Sequence, residues 1–279
     1  MKLLRFGPEG HEKPGVLDHN GTIRDLSSLV EDISPDTIAN GLMAKLERLD
    51  VDSLPQAPAD VRIGPCLHRP GNFIAIGLNY ADHAEETNAP IPDEPILFGK
   101  APSCVVGPND DVELPEGSTK TDWEGELAFV IGTRARNVSE DEAMDHVLGY
   151  TICNDVSERE YQLERNGGQW MKGKCCPTFG PIGPWLVTRD EVADPQQLGL
   201  WLEVNGERLQ NGSTRTMIFS IKHLVSYLSR FIILEPGDLV TTGTPPGVGL
   251  GMKPERYLKR GDVMRLGIDG MGEQRQQVR

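Results

Sequence analysis

Apolar residues along this chain fall into short runs separated by glycine and proline, and few stretches carry the spacing of a helix. From Gly71 onward the runs Phe73-Ile-Ala-Ile, Ile96-Leu-Phe, Cys104-Val-Val and Val112-Glu-Leu read as strands. So do Trp185-Leu-Val, Leu200-Trp-Leu-Glu-Val, Asp238-Leu-Val-Thr-Thr and Asp262-Val-Met-Arg-Leu-Gly-Ile. Asn205-Gly206 suits a type I′ turn, so the strand ending at Val204 predicts a hairpin. Beyond residue 70, helices are predicted at three places. Ser139-x-x-Glu142 and Ser157-x-x-Glu160 have the form of capping boxes, and residues 221–230 set Ile221, Leu224, Val225 and Leu228 on one face. There is no βαβ rhythm, no G-x-G-x-x-G and no fixed-period repeat, which argues against a Rossmann fold or a solenoid. The expected class is mainly β with few helices, an α+β fold.

Residues 1–70 have a different texture. Residues 3–6, 14–17 and 21–23 suggest a short β-meander, and residues 25–30 and 34–39 suggest short helices. Pro55, Pro58, Pro65 and Pro70 then punctuate a linker. The expected division is a small N-terminal domain over residues 1–70, which braces a catalytic domain over residues 71–279.

Two further strands carry chemistry at one end. Asp122-Trp-Glu-Gly-Glu-Leu-Ala-Phe-Val-Ile-Gly132 places Glu124, Glu126, Ala128 and Val130 on one face and Trp123, Leu127, Phe129 and Ile131 on the other. Carboxylates about 6.6 Å apart on one face repel unless a cation lies between them. A polar strand end in solvent would account for an isolated Glu-x-Glu equally well. The run from Val147 changes the picture, because it ends in Asn154-Asp155 at a predicted strand-to-helix corner. Glu124, Glu126 and Asp155, with no Cys or His pair nearby, make an all-oxygen set. Such a set favours Mg²⁺, with Mn²⁺ or Ca²⁺ as alternatives, over zinc.

The net charge of −14 argues against nucleic acid as a partner. A small anionic substrate is still compatible, since a bound cation and one or two lysines reverse the local potential. Gly7-Pro8 interrupts the N-terminal apolar residues, against a signal peptide. No apolar run approaches the roughly 20 residues of a membrane span. Five cysteines without a C-x-x-C suit a reducing cytoplasm.

Three more clusters carry candidate chemistry. His83 and Glu86 share a helix face at i, i+3 and could form a base oriented by a carboxylate, although a surface His beside acidic neighbours looks the same in sequence. Lys172 and Lys174 open a Gly/Pro-rich loop reaching to Pro184; Lys172 reads as solvated, and Lys174 as facing an anion or a developing enolate. Thr241-Thr-Gly-Thr-Pro-Pro-Gly-Val-Gly249 follows a strand, where backbone N–H groups and the Thr244 hydroxyl could hold a carboxylate. His11, His19, His68, His146 and His223 read as structural or solvated.

Six motifs occur in order: Phe73-x-x-x-Gly-Leu-Asn-Tyr-Ala-Asp-His, Asp122-Trp-Glu-x-Glu-Leu-Ala, Asn154-Asp155, Lys174-x-x-x-Thr-Phe-Gly-Pro-x-Gly-Pro, Asn211-Gly-x-Thr-x-x-Met-Ile-Phe and Thr242-Gly-Thr-Pro-x-Gly-Val-Gly. Together they resemble the fumarylacetoacetate hydrolase family over residues 71–279. The resemblance implies a mixed β-roll catalytic domain and a divalent cation on Glu124, Glu126 and Asp155. It also implies a His83–Glu86 dyad that orders on ligand binding, a catalytic Lys174, and substrate contacts from Thr244, Tyr80 and Lys100. A homodimer is implied as well. Pro177 departs from the pattern, standing where many relatives carry Asp.

Trp123 and Gly168-Gln-Trp-x-Lys-Gly-Lys174 resemble the branch of ureidoglycolate lyases and 2,4-diketo-3-deoxy-sugar-acid hydrolases. The leading expectation is a metal-dependent hydrolase that splits a small 2,4-dioxo acid into pyruvate and a carboxylic acid. Alternatives are a ureidoglycolate lyase, an oxaloacetate decarboxylase or oxo-diacid isomerase, and a metal-stabilised binding protein. On the branch resemblance the distal half of the substrate is expected to be short and hydroxylated. Its pocket is expected to be polar and lined by residues 88–95 and the loop after Lys174.

Overall fold

The computed structural model describes residues 1–165 and 167–279. Three strands, β1 (Lys2–Phe6), β2 (Lys13–Leu17) and β3 (Ile23–Asp25), precede the helical turns α1 (Pro35–Ala39) and α2 (Leu42–Leu46). Next come β4 (Phe73–Gly77), α3 (Ala81–Glu86), β5 (Ile96–Lys100), β6 (Val105–Val106), β7 (Thr121–Asp122) and β8 (Gly125–Ile131). The middle of the chain adds α4 (Glu140–Ala143), β9 (Val147–Asn154), β10 (Ser157–Glu158), α5 (Met171–Lys174) and β11 (Gly180–Thr188). The last third adds β12 (Gly199–Val204), β13 (Glu207–Ser213), α6 (Ile221–Leu228), β14 (Leu239–Thr241), β15 (Val263–Ile268) and β16 (Gly272–Gln277).

These strands build a large mixed sheet in the order β3-β2-β1-β11-β9-β8-β14-β4-β5, with β6 beside β11. A four-stranded antiparallel sheet, β13-β12-β15-β16, packs against it, and β7 and β10 form a two-stranded ribbon. The class is the mainly β, α+β fold expected. Strand β8 lies at the centre and is buried along its whole length. Its alternation sorts two cores, as the sequence pattern predicts. Trp123, Leu127, Phe129 and Ile131 join the second sheet and α6, while Ala128 and Val130 face Leu3, Leu26, Ile33 and Leu42 from the N-terminal segment. Residues 1–70 thus extend the main sheet through β1–β11 pairing and cap one of its faces.

Several local expectations hold for their stated reasons. The 205–206 turn has φ of 53° and 82°, the left-handed pair of a type I′ hairpin. Ser139 and Glu142 make the reciprocal capping box, and Ser220 caps α6. Others are corrected. Ser157 does not cap a helix: it lies in β10, its hydroxyl donates to Asp155 O at 2.9 Å, and a π-helical segment starts only at Glu160. Residues 25–30 are the end of β3 and a turn over residues 27–29 held by Asp25 accepting from the Ser27 N–H, not a helix. Val112 makes a single bridge to Val278 rather than a strand. Half of the predicted loop after Lys174 is β11, in which Pro181 pairs with β6 and Pro184 falls where the pairing to β9 shifts register.

Strand β16, Gly-Glu-Gln-Arg-Gln-Gln, is polar enough to be missed, yet Gln274 and Gln276 are buried between the sheets. Gln274 Nε2 donates to the carbonyls of Ile152 and Gly183, each at 3.0 Å, and Gln276 Nε2 to Pro108 O at 2.6 Å.

Phe129 sits where the sheets meet and is fully buried. Phe129→Ala is expected to cost about 3–5 kcal/mol, read as a lower urea midpoint with an unchanged slope. A change below about 1 kcal/mol would mean that the two cores do not depend on β8.

Candidate active site and metal centre

The head of β8 and the tail of β9 are paired, with Gly125 opposite Asn154. Glu124 and Glu126 flank Gly125, and Asp155 follows Asn154, so the register alone gathers the three carboxylates. Asp155 N donates to Glu124 O at 2.8 Å, and Glu124 N donates to Asn154 Oδ1 at 3.2 Å. One oxygen from each carboxylate lies within 4.8 Å of the others, and all three side chains are buried.

Buried cations surround the triad. Lys174 Nζ is 2.6 Å from Glu124 Oε2 and 2.8 Å from Asp155 Oδ2. Lys100 Nζ is 2.6 Å from the other Asp155 oxygen, and Arg159 reaches Glu124 Oε1 at 2.6 Å and Asp122 Oδ2 at 2.7 Å. Burial opposes ionisation of Glu124, but the charges of Lys174 and Arg159 override it and hold the carboxyl below its usual range. Among the described residues no ion pair reaches Glu126, which accepts the Gly243 N–H at 3.0 Å. Burial, then repulsion from Asp155 and Glu124, pushes Glu126 well above the ordinary carboxyl range. A buried all-oxygen cradle short of positive charge fits a hard divalent cation.

Glu124, Glu126, Asp155, Lys174 and His83 line one cavity of about 150 Å³, with Thr244 and Arg159 on its wall. His83 Nδ1 lies 2.9 Å from Glu86 Oε2, and Glu86 Oε1 accepts the Gly247 N–H at 2.8 Å. The dyad is therefore assembled, with Glu86 held from its far side. Thr244 is present, but its hydroxyl donates to Gly125 O at 2.9 Å and accepts from Gln210 Nε2 at 2.8 Å.

Lys100 and Tyr80, two expected substrate contacts, lie off the wall of this cavity. Lys100 is buried behind Asp155 and donates to the Lys174 carbonyl, so it holds the site from outside the cavity. Tyr80 is fully buried and off the cavity wall; burial and the charge of Glu126 push its phenol up. Residues 88–95 and the loop after Lys174 do not line the cavity, and Pro177 is exposed away from it. Ile76, Leu78, Phe98, Leu163, Trp170 and Leu250 give the rest of the wall a largely apolar surface, interrupted by Thr87 and Gln162. Lys172 is exposed, as its solvated reading implied.

Arg159 was not found by sequence reasoning. Its signal was Asp122, a further carboxylate beside the triad that needs a partner once buried.

Residues 72–279 match the family described as Fumarylacetoacetate (FAA) hydrolase C-terminal. The chain belongs to the fumarylacetoacetate hydrolase family. A Burkholderia ambifaria relative named only as a hydrolase is 59% identical over the whole chain and 99% of its own length. Among solved structures, fumarylacetoacetate hydrolase from Exiguobacterium antarcticum is 38% identical with a TM-score of 0.90, covering 100% of this chain and 99% of that one. The 5-carboxymethyl-2-hydroxymuconate delta-isomerase from Mycobacterium smegmatis is 33% identical with a TM-score of 0.78, covering 100% and 98%. Maleylpyruvate hydrolase from Sphingobium sp. SYK-6, in complex with manganese(II) ion and pyruvate, is 29% identical with a TM-score of 0.81, covering 100% and 98%. As a fumarylacetoacetate hydrolase family member the protein is an enzyme, with hydrolase or isomerase chemistry.

Arg159 links Asp122 to Glu124 in the interior. Arg159→Leu is expected to destabilise the fold by about 3–5 kcal/mol, because buried Asp122 loses its cationic partner and Glu124 loses one of two. Equilibrium denaturation checks this, and a loss under about 1 kcal/mol would show that solvent reaches the pair.

Proposed function

We propose that the protein is a divalent-metal-dependent hydrolase that cleaves a C–C bond of a small 2,4-dioxo acid, yielding pyruvate and a carboxylic acid. One observation carries this reading: an oriented histidine, a buried carboxylate triad and a buried lysine open on one small cavity. The maleylpyruvate hydrolase structure with manganese and pyruvate supports it. Mg²⁺ is the proposed cation, with Mn²⁺ as the alternative, held by Glu124, Glu126 and Asp155. When bound, it supplies neutralising charge to the carboxylate and 2-oxo oxygen of the substrate.

The chain's own residues do the rest. Glu86 fixes the His83 ring through Nδ1, which leaves Nε2 to take a proton from water. The hydroxide adds to C4, the C3–C4 bond breaks, and its electron pair passes to the pyruvate enolate. Lys174 places an ammonium beside that oxyanion. The proton held by His83 is then the one C3 requires, so the ring returns to its starting state.

The M. smegmatis isomerase structure favours a second reading, isomerisation of an oxo-diacid, in which His83 takes a proton from one carbon next to a carbonyl and returns it to another with the C–C bonds intact. Pyruvate release separates the two. Release of glyoxylate and urea from ureidoglycolate would point instead to the lyase.

Chelation with EDTA is expected to abolish turnover, and Mg²⁺ or Mn²⁺ to restore it. Glu126→Gln is expected to lose metal binding by calorimetry while keeping its circular dichroism spectrum. Full activity of the metal-free protein would overturn the assignment.

His83→Ala is expected to lower kcat by roughly 10²–10⁴-fold while pyruvate still binds the metal-loaded protein. An unchanged kcat would remove the dyad from the chemistry.

A further inference from the structure

We propose that the acyl half of the substrate is a short apolar chain, received by an aromatic corner of Phe98 and Trp170, and that Trp170 sets this preference. The inference rests on the 2,4-dioxo-acid reading and names its substrate class. Phe98 comes from β5, and Trp170 immediately precedes α5, whose last residue is Lys174. The two rings meet edge to face, with centroids 5.4 Å apart at 64°. Lys174 Nζ stands 5.3 Å from the Phe98 centroid, so the corner begins where the reacting carbons would lie.

The indole is fixed by an absent side chain. A Cβ on Gly77 would come within 2.2 Å of Trp170 Cζ3, so the ring lies directly on the β4 backbone. Leu78 and the half-exposed Leu163 complete this side of the cavity.

The polar side chains that share the cavity are already engaged. Thr87 donates to His83 O at 3.0 Å, and Thr244 donates to Gly125 O at 2.9 Å. Arg159 donates to Asp122 and to Gln162 Oε1. A hydroxyl on the acyl chain would give up water for an apolar wall, whereas a methylene gains from the same burial.

The test compares 2,4-dioxohexanoate with 5-hydroxy-2,4-dioxohexanoate, which differ by one hydroxyl, on the Mg²⁺-loaded enzyme. The expected result is a kcat/KM roughly 10–100-fold higher for the apolar compound, the range for one group in a hydrophobic pocket. Trp170→Ala should bring the two towards parity through KM while pyruvate affinity stays within about twofold, since the pyruvyl end does not touch the indole. Leu163→Ala, at a half-exposed position, should move the ratio the same way should the Trp170 variant fail to fold.

Equal or better turnover of the hydroxylated compound would overturn the apolar subsite while leaving the hydrolase reading standing. Should neither compound release pyruvate, the hydrolase reading fails. Calorimetric affinities of 2-oxohexanoate and its 4,5-dihydroxy counterpart then judge the subsite alone. Tighter binding of the apolar acid supports it, and equal binding removes it.

Discussion

The molecule is organised around the cost of burying Glu124, Glu126 and Asp155 within 4.8 Å of one another. Like charges at that separation, out of water, cannot all remain ionised without compensation. Lys174, Lys100 and Arg159 supply part of it, and each is itself buried. What they leave uncovered falls on Glu126, the member they do not pair. A divalent cation would meet that deficit directly, which is the charge argument for the proposed metal.

Geometry this demanding needs a rigid support, and the second sheet provides it through polar groups rather than apolar ones. Gln210 on β13 accepts the Gly125 N–H at 2.9 Å between the two glutamates and donates to Thr244 and to Pro245 O. Asn154 accepts from Glu124 N and donates to Gln276 on β16 at 3.2 Å. Buried amides that satisfy backbone groups in this way fix a unique arrangement, whereas apolar packing alone would tolerate sliding. The polar character of β16 follows from this task.

Much of this was legible in the chain. The alternation along β8 separated its two faces correctly, and the Glu-x-Glu and Asn-Asp endings located the triad before any pairing was known. The His83–Glu86 spacing was readable because helical geometry is local. What escaped depends on distant partners. Lys100 and Tyr80 belong to segments near the site, but which side of Asp155 or Glu126 they occupy is decided by the sheet, not by spacing. Gln274 and Gln276 drew no expectation, because the carbonyls they satisfy at Gly183 and Pro108 lie more than 90 positions away. The expected polar distal pocket came from motif resemblance; the apolar surface of Phe98, Leu163 and Trp170 escaped because β5, the π-helical segment and the start of α5 converge on the cavity in a way that periodicity does not encode.

Triad and dyad stand on different elements, yet one side chain ties them together. Arg159 clamps Glu124 on one side and Asp122 on the other, and Asp122 accepts the N–H groups of Gly249 at 2.7 Å and Leu250 at 3.0 Å. The same loop offers the Gly247 N–H to Glu86, and Gly251 packs so close to Glu86 that a Cβ there would come within 2.6 Å of its carboxyl carbon. The carboxylate that orients His83 is thus held by a loop anchored, through Asp122 and Arg159, to a triad residue. A shift in Glu124 would reach the base through five polar contacts, Glu124–Arg159, Arg159–Asp122, Asp122–Gly249, Gly247–Glu86 and Glu86–His83, with only the short 247–249 backbone between them. That linkage explains why so many charges are retained in an interior where apolar residues would be cheaper: they fix the distance between a cation site and a base, which hydrophobic packing alone does not specify.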